Sequence, residues 1–478
     1  AYFWRRYYER TDLPSIRDPH VLSIEECAAL DDRVAVAVRQ RGLLLHRVGH
    51  GWTCSTVGFP EVAGWETAPE PPEDVRPLLA EVKGRREWFG GAPINTELCY
   101  GNPEARRRFV DTVIAYAAAH PGIDVLHVWL SDGMNNMCEC PLCAEKQPTD
   151  WYVTLLNEIS PRLLAAAPRM KLAALCYSNT MWPPTSVAPD RLGDNVILMF
   201  APISRCYGHA ILDPRCTAEP PPVPYTRNAV TTPRANGDYA AMLRAWQRYL
   251  PPGTDAFAFD YPLWMNFPNE WLGMDAAALF AEEVGQYRGA GVNGILSCQL
   301  QRAFVPTSLG QHALAHWLWN CKAPLAPFVD RFFVDAFGSE GSIAQDFYHA
   351  LTAANGPRVH GNAWWETDAS PERVAAVRRV LREYTPRLRE AAARGHGLPS
   401  VQRRSWSLLL FFVAFQTRLW QALEAAHGIR PSPGLAERRF AALDAYLARA
   451  ERRLYRWIDA SYWRRFFAQV AKAAAKKK

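Results

Sequence analysis

Along the first two thirds of the chain, short apolar runs alternate with longer segments whose apolar positions recur at helical spacing. The runs at residues 2–4, 43–48, 94–99, 125–130, 171–177, 195–202, 255–261 and 294–299 are rich in β-branched, aromatic and aliphatic side chains and are predicted to be strands. Between them, Ser23 followed three residues later by Glu26 marks a capping box for a helix to Gln40. Asn102-Pro103 starts another helix with a cap and a first-turn proline, and further helices are expected over 149–167, 237–249 and 276–288. Beyond Phe304 only helical periodicity remains, over 309–319, 326–337, 342–354, 371–393, 401–427 and 435–467, with glycine and proline at the breaks. Eight strands mostly separated by helices predict an α/β fold, a (β/α)8 TIM barrel over residues 1–305, followed by an all-helical C-terminal region over 306–478.

Composition narrows the class. Hydrophobic residues make up 49% and charged residues 21% of the 478, so a large buried core is expected and disorder is not. The net charge of +6 falls partly in the tail 471–478 and does not point to nucleic acid. No apolar run approaches the roughly 20 residues that span a bilayer, so no membrane partner is expected. Eleven cysteines, an odd number and mostly scattered, argue against a secreted disulfide framework and for a reducing, cytoplasmic setting. The chain begins at Ala1 rather than Met, so a preceding segment, and with it secretion, stays open.

A barrel gathers the C-terminal ends of its strands at one mouth, whatever their spacing in sequence. That rule collects Arg5, Arg6, His50, Trp52, Glu97, Asp132, Tyr177, Asn179, Asp260, Tyr261, Trp264 and Gln299. Carboxylates with aromatic rings and amides suit a sugar: rings stack on its faces, amides meet hydroxyls, and two carboxylates act as acid and base or nucleophile. Asp132 and Asp260 are the expected pair, with Glu97 in reserve, and either arginine suits an acidic sugar. His46 and His50, four apart on a strand, stand about 13 Å from one another, too far to share an ion, so His50 is assigned to the mouth and His46 to the core. No nucleotide or phosphate fingerprint is present, and no organic cofactor is expected.

Cys138, Cys140 and Cys143 form the sharpest cluster. Three thiolates so close can bind a structural zinc, with a fourth ligand from elsewhere, such as Cys54, Cys176, Cys206, His209 or Cys216; reduced thiols, or one disulfide and a free thiol, are the alternatives.

Leu98-Cys99-Tyr100-Gly101-Asn102-Pro103-Glu104, Ser131-Asp132-Gly133 with Cys138-Glu139-Cys140-Pro141-Leu142-Cys143, and Asn157-Glu158-Ile159 together resemble the bacterial domain of unknown function 4838. The resemblance covers roughly residues 90–350. It implies a barrel distantly similar to glycoside hydrolase families 20 and 67, acting on carbohydrate. Family 20 carries an Asp-Glu pair where this chain has Asp132-Gly133, a departure that speaks against a substrate-assisted N-acetylhexosaminidase. The expectation is therefore a glycoside hydrolase working by carboxylate acid/base catalysis. A metal-dependent hydrolase on a TIM barrel and a non-catalytic carbohydrate-binding protein are the alternatives, and the C-terminal helices offer a homodimer interface.

Overall fold

The computed structural model describes residues 5, 9–10, 16–185, 192–216, 224–265, 270–300, 302, 304–356 and 369–476. The strand expected at 2–4, and Arg6, lie outside them. Six strands, β1 (His46–Gly49), β2 (Val125–Val128), β3 (Lys171–Cys176), β4 (Val196–Phe200), β5 (Ala256–Asp260) and β6 (Ile295–Ser297), pair in chain order, all parallel. Numbering only the longer helices, α1 (Ile24–Gln40) precedes β1. Then α2 (Pro103–Ala119), α3 (Pro148–Ala166), α4 (Asn236–Gln247) and α5 (Met274–Gly289) follow β1, β2, β4 and β5. Ser23 accepts from Glu26 N–H and Asn102 from Glu104 N–H, so both expected caps form.

The sheet is a curled half-barrel. The His46 ring on β1 lies 5.9 Å from Phe257 on β5. In a flat sheet those strands, four spacings apart, would be roughly 19 Å from each other. Alternate residues therefore serve two different cores. Ala173, Leu175, Ile197, Met199, Phe257 and Phe259 face the concave side, together with His127 and Trp129. Leu126, Val128, Leu172, Ala174, Leu198, Phe200, Ala256 and Ala258 pack outward into the core shared with the helices.

One expected strand is absent. Residues 93–95 form a 3-10 turn, and Leu98 makes only an isolated antiparallel bridge to Leu79, so β1 pairs with β2 directly. Pro93 has no N–H for a ladder, and the Glu97 side chain is turned to the loop after β2. The eight expected strands are therefore six among the described residues.

After β6 come α6 (Leu309–Trp319), α7 (Leu325–Phe337), α8 (Gly341–Asn355), α9 (Pro371–Arg394), α10 (Ser400–His427), α11 (Pro433–Leu454) and α12 (Ala460–Lys476). The single helix expected at 435–467 is two. Asp459 caps α12 by accepting from the Tyr462 N–H at 3.1 Å, while the buried Glu451 side chain accepts from the Ala460 N–H at 2.7 Å. This region has its own core, into which Trp271 projects against Trp463 at 3.9 Å and Phe415 at 5.1 Å between ring centroids. Among the described residues no helix is long and apolar enough to cross a membrane.

Candidate functional site

The segment leaving β2 builds the rim of the concave face. His50, just past β1, donates from Nδ1 to the Leu130 carbonyl at 2.7 Å, and its Nε2 lies 3.1 Å from Asp132 Oδ1. A carbonyl only accepts, so Nδ1 carries a proton. At Nε2 the imidazole stands within ion-pair reach of the carboxylate. His50 and Asp132 thus form a close pair, and their side chains stay 14% and 20% exposed.

Several aromatic side chains surround this pair. Trp129 meets His50 edge-on at 4.8 Å, and Tyr177 lies 6.2 Å from it. Burial pushes the Tyr177 and Tyr261 phenols up, and the negative charge of Asp132 adds to both shifts. Phe257, Phe259, Tyr207 and Trp264 continue this lining and stay partly exposed. Trp129 Nε1, Asn179 Oδ1 and Asn95 Oδ1 are buried without a protein partner among the described residues. Buried polar atoms are costly unless a ligand or water meets them.

Glu97 supports the rim from behind. It is 2% exposed, accepts from the Ser131 N–H at 3.0 Å and the Tyr100 hydroxyl at 2.5 Å, and burial pushes its carboxyl up. Below Asp132, Asn136 bridges the Asn95 carbonyl and the Ser131 hydroxyl, each at 2.6 Å, and accepts from Asn179 at 3.2 Å. Gly133 fits there because a Cβ would stand 2.6 Å from the Asn95 carbonyl oxygen.

Other residues singled out from the sequence lie elsewhere. Asp260 shares the outward face with Ala256 and Ala258, behind the sheet from Asp132. Its carboxylate takes two hydrogen bonds from Arg205, at 3.1 and 2.8 Å, and one from Tyr287 at 2.9 Å. Arg205 also donates to Glu283 at 2.7 Å, and all three charged side chains are sealed from solvent. Burial pushes the Glu283 carboxyl up, with Arg205 opposing and Asp260 adding to the shift. Trp52 is 4% exposed in the outer core, where its indole donates to the His127 carbonyl at 2.8 Å. Arg5 pairs with Glu66 at 2.8 Å, and Gln299 is exposed beyond β6. Trp264 lies 6.0 Å from Tyr261. His46 is exposed, and its Nδ1 lies 2.9 Å from Nε2 of the buried His127.

The cysteine loop gains a fourth thiol. Cys99, Cys138, Cys140 and Cys143 are buried with their sulfurs all within 4.8 Å of one another. Cys99 lies 3.5 Å from Cys140 and 3.7 Å from Cys143, against about 3.8 Å along the edge of a tetrahedral zinc–thiolate site. Backbone N–H groups of Glu81 and Gly101 point at Cys138 Sγ and Cys143 Sγ, at 3.2 and 3.0 Å. Hydrogen bonds from Cys138 and Cys143 favour the Cys99 thiolate over its burial, and the Arg86 guanidinium adds to them. This is a donor set that can hold a metal such as zinc. Its fourth member is Cys99, not Cys54, Cys176, Cys206, His209 or Cys216. Cys99 stands 41 positions before Cys140, so spacing alone could not find it.

A family model described as a domain of unknown function (DUF4838) matches residues 77–349, more than half of the chain, from the segment before Glu97 into α8. No curated protein matches the chain.

Proposed function

Because the chain belongs to the domain of unknown function 4838 family, we propose its function from its own side chains: it is a carbohydrate-active hydrolase whose half-barrel belongs to the (β/α)8 type. The carrying observation is the His50–Asp132 pair at the rim of a concave face lined by partly exposed aromatic rings. Rings beside a carboxylate suit the alternating apolar faces and hydroxyl edges of a sugar, and the unpartnered Trp129 and Asn179 atoms suit its hydroxyls. Asp132 delivers a proton to the leaving glycosidic oxygen as the glycosidic bond breaks, a water adds to the anomeric carbon, and the proton that water gives up returns to Asp132 by way of His50 Nε2, the Nδ1 being held by Leu130. Glu97 and Asn136 position the segment that carries Asp132. The four-cysteine cluster holds a structural zinc that pins this segment to the residues before α2. Eleven cysteines favour a reducing, cytoplasmic setting, and the C-terminal region, where Trp319, Val401 and Ile429 are exposed, offers surface for a homodimer.

One observation favours a second reading, a carbohydrate-binding protein without cleavage. Of the three carboxylates expected at the mouth, Glu97 is sealed and Asp260 lies behind the sheet, which leaves Asp132 without a carboxylate partner among them. Hydrolysis and binding separate the two. Against a glycan panel, Asp132→Asn and His50→Gln should cut turnover by at least about 100-fold with little change in affinity. Binding without turnover in the unaltered chain selects the second reading, and full activity in Asp132→Asn refutes the first.

A further inference from the structure

We propose a second metal site in the β4–α4 loop, formed by Cys206 Sγ, His209 Nδ1 and Cys216 Sγ, that takes a borderline-soft divalent ion such as zinc. It is separate from the four-cysteine cluster and does not depend on the proposed hydrolase activity. The three ligand atoms lie within 4.8 Å of one another. Cys206 Sγ and His209 Nδ1 are 3.3 Å apart, against about 3.6 Å for a sulfur–nitrogen edge of a tetrahedral zinc site. Both cysteines are buried and His209 is half-buried.

The surroundings are organised for this donor set. Backbone N–H groups of Gly208 and Asn236 each point at a sulfur, Cys206 Sγ and Cys216 Sγ respectively, at 3.3 Å. Such donors stabilise sulfur as thiolate, the form that binds metal. The Asn236 side chain, fully buried at the start of α4, closes the turn. Its oxygen accepts from the Cys206 N–H at 3.0 Å, and its amide donates to the carbonyls of Cys206, His209 and Ala210 at 2.8 to 3.0 Å. One amide thus holds the backbone of two ligands before any ion arrives, which lowers the ordering cost of binding. Two thiolates neutralise a divalent ion, so the site adds no net charge beside the sealed Arg205–Asp260–Glu283 network. The fourth position falls to water or to another donor. An ion here fixes the turn carrying Arg205, which holds Asp260, and Tyr207, which lines the concave face.

The rival use of these thiols is a Cys206–Cys216 disulfide. The test is metal content of the 478-residue chain after reconstitution with zinc chloride and gel filtration, with peptide mass spectrometry under non-reducing conditions. The expected result is two equivalents in the unaltered chain and one in Cys206→Ala/Cys216→Ala, with the remaining one lost when Cys99→Ala/Cys143→Ala is added. Metal content that Cys206→Ala/Cys216→Ala leaves unchanged overturns the site, as does a Cys206–Cys216 disulfide in the purified chain. A loss confined to Cys99→Ala/Cys143→Ala would keep the four-cysteine site and remove this one. His209→Ala, at a half-buried position, covers the case in which the double variant does not fold. Loaded with cobalt(II), it should change the ligand-field bands, and an identical spectrum overturns the proposal.

Discussion

At the scale of single residues, neighbouring charges have different tasks according to the face on which they stand. Along β5, Phe257 and Phe259 point into the concave side, whereas Ala256, Ala258 and Asp260 point outward. That alternation was readable in the sequence. What it did not contain was Arg205, far away in the chain, waiting behind the sheet. With both Asp260 and Glu283 depending on it, Arg205→Met should leave two buried carboxylates unpaired and cost about 3–5 kcal/mol in urea unfolding. A cost below about 1 kcal/mol would show that the network is solvated after all. His127 gives the molecule a pH dependence. Burial, helped by the nearby His46, lowers its pKa from 6.5 to about 3. Between those values the unfolded chain binds a proton that the folded chain refuses, so stability is present above pH 6.5 and falls as the solution is acidified towards pH 3. The loss reaches up to about 5 kcal/mol. Unfolding at pH 7.5 and 4.5 should show this slope, and His127→Gln should flatten it; an equal slope in the variant would assign it to other groups.

At the scale of elements, strands and helices with their own periodicity were legible and the pieces between them were not. The runs at 171–177 and 195–202 are found as β3 and β4 with their ends trimmed, because burial on both faces dictates their composition, and the run at 255–261 as β5, whose Phe257 and Phe259 stay partly exposed on the concave face. The run at 94–99 has a similar composition but spends its polar groups otherwise: Pro93 enters a 3-10 turn and Glu97 holds Ser131. The break between α11 and α12 was also hidden, since both helices bury their apolar faces in one core and the periodicity runs on through Asp459. Cys99 belongs to this scale, for it joins the 94–99 segment to the cysteine loop after β2. Gly101 permits that junction, where a Cβ would stand 2.6 Å from Leu142 Cβ. Replacing Cys99 by Ser should remove one equivalent of zinc and lower the melting temperature by several degrees, about 1–3 kcal/mol of stability. Unchanged zinc content would take Cys99 out of the ligand set.

At the scale of the whole molecule, the half-barrel and the C-terminal helices are stitched together more tightly than a linker would allow. Trp271, Leu272 and Val305, all near the end of the α/β part, sit in the core of the helical part. Arg302 reaches Glu451 at 3.1 Å and Asp459 at 3.0 Å. A fragment ending at residue 305 would expose those apolar side chains to water at about 1.5–3 kcal/mol for each large one. It should therefore be recovered aggregated or binding a hydrophobic dye, and a cooperative thermal transition in that fragment would show that the two parts fold independently. The sequence by itself determined the alternation of strands and helices, the helical C-terminal region, and the presence of His50, Asp132 and the cysteine loop, because periodicity, caps and close spacing act within a few residues. Only the tertiary structure decided that Asp132 meets His50 rather than Asp260, that Cys99 completes the thiol cluster, and that the described strands number six. Those outcomes depend on which face a strand turns outward and on which distant segments the curl of the sheet brings together.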